Sequence, residues 1–226
     1  MTEQVRPDLV ISGMGSASGG DYGKVRIEGT GKVDGDLSCE SIQVSGMAAM
    51  GGNMTAGRFE LQGKLTGVGS LKANTVDIEG HVNLRGRLQG DDISLTGILK
   101  LQGDCEAERF AAHGGFAIQG LLNAGTIDIH LHGRGEAAEI GGETIRVRKP
   151  ERQSWGGLLR RLIPAFNPRL TTGTIEGDDV HLEATTAGIV RGSHVHIGEG
   201  CEIRLVEYRT ELIVHPDANV AKRVKI

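Results

Sequence analysis

Eight histidines are the residues best suited to chemistry in this chain. His113 and His130 stand 17 apart, and His181 and His196 fall at matching outward places of a repeat. Left-handed β-helix enzymes of the acyltransferase or metal-hydratase kind draw histidines from successive coils around an acyl group or a metal. A zinc site, however, needs three or four convergent ligands held by outer partners, and no carboxylate is fixed beside these histidines by spacing. Stacked outward imidazoles can equally be plain surface. Gly13-Met-Gly-Ser-Ala-Ser-Gly19 has the look of a phosphate loop but lacks the Gly-Lys-Ser/Thr ending and precedes no amphipathic helix. Asp91 and Asp92 suggest a polysaccharide-cleaving cluster without the long loops that build a cleft. Cys39, Cys105 and Cys201 are too scattered for a disulfide framework or a thiolate metal site, and are expected to be buried free thiols. The expectation is therefore no catalytic, cofactor-binding or metal-binding residue, and no enzyme.

The elements that would position these side chains follow from an unusual composition. Glycine supplies 36 of 226 residues, whereas Phe, Tyr and Trp together supply 7. A core of large aromatic side chains is excluded, and a repeat with a turn at fixed intervals is indicated. The net charge of −4 argues against general nucleic-acid binding, which needs a basic surface. Met1-Thr-Glu-Gln-Val-Arg-Pro7 contains no apolar signal core, and no stretch reaches the roughly 20 apolar residues that span a bilayer. A cytoplasmic location is expected, with the inner face of the cell membrane as a further station.

Rows of 17 residues from Val25 align Val25, Ile42, Phe59, Val76, Ile93, Phe110 and Ile127 in one column. Ile27, Val44, Leu61, Ile78, Leu95, Ala112 and Ile129 fall two places later. Glycines recur four places into the row, from Gly29 to Gly114, and ten places in, from Gly35 to Gly120. The remaining alternate places are apolar as well, which is the pattern of strands with one buried face. Each row reads as three short strands. Two corners are glycine, assigned here to positive φ, and a third is polar (Ser41, Arg58, Thr75, Asp92, Arg109, Thr126). Stacked coils, each pairing with the next at about 4.8 Å, give an all-β parallel β-helix solenoid. A preceding row fits from Leu9 and Ile11 if one residue is dropped. The phase slips after Glu143 and resumes near Val180, Val195 and Leu212. Roughly ten coils would make a rod on the order of 50 Å long.

One segment departs from the pattern. Trp155, Leu158, Leu159, Leu162, Ile163 and Phe166 are spaced as one face of a short α-helix, capped by Ser154 and flanked by Arg160 and Arg161. From Arg146 to Arg169 seven basic residues stand against Glu151 alone. This combination suits the interface of an anionic membrane, and it equally suits packing on the solenoid or on a partner. The expected organisation is a flexible tail over 1–8, β-helix over 9–149, an inserted basic amphipathic helix and linker over 150–173, and final coils and tail over 174–226.

The rows Val25-Arg-Ile-Glu-Gly29, Val76-Asp-Ile-Glu-Gly80 and Ile93-Ser-Leu-Thr-Gly97 resemble the bactofilins, the polymer-forming bacterial cytoskeletal proteins, and above all their longer Firmicutes-type members. Ser16-Ala-Ser-Gly-Gly20, Val195-His-Ile-Gly-Glu-Gly-Cys-Glu-Ile203 and Leu205-Val-Glu-Tyr208 share the likeness, which spans nearly the whole chain. No one motif is stringent; the combined pattern carries it. The resemblance implies a right-handed helix, in keeping with the usual hand of parallel crossovers. It also implies nucleotide-independent filaments, often at the membrane, serving cell shape, surface structures or motility. The length and the basic insertion depart from the compact family pattern and put unmodified filament formation in doubt.

Uncapped strand edges template pairing with another chain, so the expected contact between copies is end to end, through Leu9 and Ile11 at one end and Leu212, Val214 and Val220 at the other. The partners expected are the chain itself, an anionic membrane surface, and a paralogous bactofilin or other protein client, with no nucleic acid. The alternatives are a non-polymerising β-helix enzyme of the kind described above and a membrane-associated scaffold that does not polymerise.

Overall fold

The protein is described by a computed structural model over residues 6–150 and 168–226. Ten strands follow one another in the chain: β1 (Leu9–Asp21), β2 (Lys24–Met50), β3 (Met54–Gly67), β4 (Leu71–Leu84), β5 (Leu88–Leu101), β6 (Cys105–Arg148), β7 (Arg169–Leu182), β8 (Thr185–Ile197), β9 (Glu202–Val214) and β10 (Asn219–Lys225). Every strand pairs in parallel with its sequence neighbours, in the spatial order β1 to β10. The described residues contain no helix. This is a parallel β-solenoid of about 12 turns, two more than the row count suggests.

The columns read from sequence are the rungs of the structure. Ile42 pairs with Phe59, Phe59 with Val76, Val76 with Ile93 and Ile93 with Phe110. Each of these side chains is buried, as are Val44, Leu61, Ile78, Leu95 and Ala112 two places on. Stacking puts like side chains in contact along the axis, and a buried Val, Leu, Ile or Phe contributes about 1.5–3 kcal/mol relative to exposure. The core is one continuous column within the solenoid, so each coil relies on its neighbours for its apolar lining.

The two glycine columns serve different ends. Gly29, Gly46, Gly63, Gly80 and Gly97 have φ between 113° and 137°, and a Cβ on any of them would lie closer than 3.0 Å to the carbonyl oxygen of the glycine one coil before. In the second column only Gly35 has positive φ. Gly52, Gly69, Gly86 and Gly103 are required for space instead, since a Cβ there would run into the backbone of the preceding corner. Positive φ at both corners is thus corrected to positive φ at one and close backbone approach at the other.

Next to the second glycine a polar side chain joins one coil to the following one. Asn53 N–H donates to Asp36 Oδ1 (2.7 Å), Ser70 N–H to Asn53 Oδ1 (2.9 Å) and Arg87 N–H to Ser70 Oγ (3.0 Å). Leu121 N–H does the same to Asp104 Oδ1 at 3.0 Å. Corner amides that would otherwise lack a partner are satisfied in this way.

The irregular rows are explained by changes in coil length. Leu9 pairs with Val25, 16 residues on, and a shift between Ser18 and Gly20 restores the 17-residue interval at Gly20 and Leu37. Val147 then pairs with Leu182, 35 residues on, so the parallel ladder continues in register from β6 to β7. β7 begins at Arg169, earlier than the boundary at 174 expected from sequence. The following coil is compressed, with Val180 opposite Val195, before Val195 and Leu212 return to 17.

Candidate functional site

The outer surface of the first side of the coil carries most of the histidines. Outward residues there alternate with the buried ones, in two columns that continue from coil to coil. One runs through Glu60, Asp77, Ser94 and Ala111, and the other through Gln62, Glu79, Thr96 and His113. Further along the rod, Arg146 pairs with His181, His181 with His196 and His196 with Ile213. The sequence-predicted stacks both form: the His113 and His130 rings lie 4.5 Å apart at 15°, and those of His181 and His196 lie 4.1 Å apart at 48°.

These imidazoles sit among charges rather than around a common centre. His130 Nε2 is 3.5 Å from Asp128 Oδ1 and 3.2 Å from an Arg148 nitrogen. Burial is the first cause that lowers its pKa below the usual histidine value, with His113, Arg148 and His132 acting in the same direction against Asp128. His181 is lowered likewise, first by burial and then by His196. Asp179 meets His194 at 2.9 Å. Among the described residues, no group of three or more His, Cys, Asp or Glu side chains is arranged to hold a metal ion.

Other candidate chemistry resolves into structure. Gly13 has φ of 83°, and a Cβ on Gly19 would run into the backbone of Gly35 and Asp36, so both are corner glycines. Asp92 pairs with Arg109 across adjacent coils. Cys39, Cys105 and Cys201 are buried free thiols, and burial raises their pKa to about 11, about 12 and about 11. One feature went unread in the sequence: a groove of about 600 Å³ beside the lengthened and compressed coils, lined in part by Glu139, Glu143, Glu176, Asp178 and Arg191. The surface is therefore not free of clefts, as the regular rows alone suggest. The groove arises where coil length changes, which no fixed-period alignment can show.

The solenoid's ends are where the residues expected at a polymer contact lie. Leu9 and Ile11 belong to β1, the first strand of the sheet; Ile11 is buried and Leu9 half-buried, while Val10 between them is 61% exposed. Leu212 and Val214 close β9 and Val220 lies in β10, all three half-buried. Among the described residues, no further strand covers β1 or β10. Trp155, Leu158, Leu159, Arg160, Arg161, Leu162, Ile163 and Phe166 lie outside the described residues. No described helix is long and apolar enough to cross a membrane.

Two curated proteins of Bacillus subtilis (strain 168) are similar to this chain. Uncharacterized protein YhbF is 37% identical over 108 residues, covering 47% of this chain and 42% of YhbF. Uncharacterized protein YhbE is 38% identical over 110 residues, covering 48% and 44%. The chain spans less than half the length of the curated relatives it matches. No protein-family model matches it, and no solved structure matches it significantly.

Proposed function

We propose that this protein is a bactofilin-like scaffold whose rods join end to end into filaments without nucleotide. In this reading it works in the cytoplasm at the inner face of the cell membrane, supporting cell shape, surface structures or motility. The observation that carries the proposal is the parallel edge left uncovered among the described residues at each end of the solenoid, β1 at one and the β9 and β10 region at the other, with apolar side chains in the outermost rungs. Such an edge offers unpaired backbone N–H and C=O groups, and stacking a second rod on it continues both the ladder and the core. The rows quoted for the bactofilin resemblance lie in these stacked coils.

The segment around Trp155 is assigned to an anionic membrane surface or to a protein client, on its apolar spacing and basic flanks. Electron microscopy of the purified chain without nucleotide tests the assembly. Filaments one rod or more in width support it, and discrete small particles at high concentration contradict it.

A further inference from the structure

The first side of the coil carries charges of opposite tendency in its two halves. Toward β1 the outward columns hold Glu28, Glu60, Asp77 and Glu79, against Arg26, which pairs with Glu28, and the corner residue Arg58, which meets both Glu60 and Asp77. Gln43, Gln62, Glu60, Asp77 and Glu79 line a shallow concavity of about 280 Å³. Toward β9 the same columns hold Asp128, His130, Arg146, Arg148, His181, Glu183 and His196. There Arg146, Asp179, His181, His194, His196 and Glu211 line a matching concavity of about 240 Å³. With neutral imidazoles the two arginines balance Asp128 and Glu183, and each proton taken up by an imidazole adds a positive charge to this half.

Between the halves lie small, uncharged residues. Ser94 and Thr96 in one coil pair with Ala111 and His113 in the next. A two-fold axis passing here, perpendicular to the rod, would lay two copies antiparallel. Glu60 would then face the Arg146 and Arg148 coil, Asp77 and Glu79 would face His130, and Glu28 with its partner Arg26 would face the His196 coil. Asp128 would come opposite Asp77, but it stands beside His130 and 3.6 Å from Arg148. His181 and Glu183 would come opposite the uncharged Gln43 and Ser45, with Glu28 and Glu60 in the coils on either side. Ten coils of this side, at about 4.8 Å each and about 15 Å wide, offer about 700 Å² per copy, close to one half of a standard specific interface.

We infer that this side is a self-complementary surface through which two copies pair antiparallel, the histidine and arginine half of each lying on the acidic half of the other, with protons taken up by the facing imidazoles. A two-fold contact of this kind is isologous, so one surface serves both partners. The pairing is lateral and does not depend on the rods joining end to end.

The groups that set its pH response can be named. His130 is faced on its own rod by His113, His132, Asp128 and Arg148; His181 by His196, Glu183, Arg146 and Arg148. In the free rod burial first, and then the neighbouring imidazoles and arginines, disfavour the imidazolium, against Asp128 and Glu183. Glu28, Glu60, Asp77 and Glu79 of the second copy would favour it, so pairing tightens as pH falls through the imidazole range. Each proton linked to pairing changes the dissociation constant about tenfold per pH unit.

Two charge-reversed chains test the inference: Glu60→Lys with Asp77→Lys, which turns the acidic half net basic, and Arg146→Glu with Arg148→Glu, which turns the histidine and arginine half net acidic. The substituted side chains are part-exposed or exposed, and circular dichroism checks the fold of each. The readout is lateral association at pH 6 and pH 8, by sedimentation for short species and by filament width in electron microscopy. The parent should pair more tightly at pH 6, each reversed chain alone should pair about tenfold or more weakly, and an equimolar mixture of the two should pair again. Restoration by mixing cannot come from misfolding. An unpaired parent at both pH values, pairing of either reversed chain at the parent's strength, or a mixture that stays unpaired would overturn the inference. End-to-end joining is read separately from filament length, so failure of one contact is distinguishable from failure of the other.

Discussion

Gly63 stacks directly on Gly46, and a Cβ at Gly63 would point into the Gly46 carbonyl oxygen while the backbone holds φ at 137°. Both the conformation and the close approach exclude a side chain. Gly63→Ala should therefore lose about 2–4 kcal/mol of stability. A Cβ at Gly133 would come no closer than 3.6 Å to any atom beyond its chain neighbours, and its φ is not positive, so Gly133→Ala should unfold within a few tenths of a kcal/mol of the parent. Thermal or denaturant unfolding of the pair checks the contrast, and equal losses would sink it.

Phe110 packs edge-on against Phe116, with ring centroids 6.0 Å apart. Its side chain is fully buried in a column otherwise filled by aliphatic residues and Phe59. Truncating it opens a cavity between two coils that cannot close without breaking their ladders. Phe110→Ala should cost about 3–5 kcal/mol, and the more conservative Phe110→Leu clearly less. Denaturant titration measures both.

The legibility of this fold in its sequence has a physical basis. When a coil of fixed length repeats, its inward side chains must recur at one period, so Val25, Ile42, Phe59 and Val76 announced their stacking without any structure. The same logic failed where the length changed. The coil from Ile127 to Ile145 has 18 residues and the one from Val180 to Val195 has 15, so a fixed register loses them and the groove beside Glu139 and Arg191 disappears from view. The separate causes of the two glycine columns were also hidden, because positive φ and a nearby backbone select the same residue. Stacking of His113 on His130 was readable from spacing, whereas the sharing of one side by Arg148, Asp128 and the later histidines required the register beyond the insertion.

The cysteines give a prediction about reactivity. Thiolates are the reactive form, and Cys39, Cys105 and Cys201 are raised to about 11 to about 12 by burial. At pH 8 the folded protein should react with a thiol reagent at least about a hundredfold more slowly than the unfolded chain. Rapid modification of any one thiol in the folded state would show that its coil opens.

His181 carries a pH dependence of known sign. Its folded pKa lies below the ordinary value of 6.5, through burial first and His196 next, so the folded state binds fewer protons than the unfolded one. The stability it contributes is fully present above pH 6.5 and is lost as pH falls through the lower, folded value. In dilute, unpaired protein at moderate salt, the melting temperature should fall between pH 7 and pH 5, and His181→Gln should reduce that fall. An unchanged slope in the variant would place the dependence elsewhere.

The end-to-end contact is the centre of the functional reading, and sedimentation of the purified chain without nucleotide, parent beside Ile11→Glu, tests it most directly. A glutamate in the first rung puts a charge into the apolar column that a second rod would have to cover. The parent should pellet as polymer, and the folded Ile11→Glu chain should remain in the supernatant. Equal pelleting of the two, or a parent that stays soluble at high concentration, would contradict it.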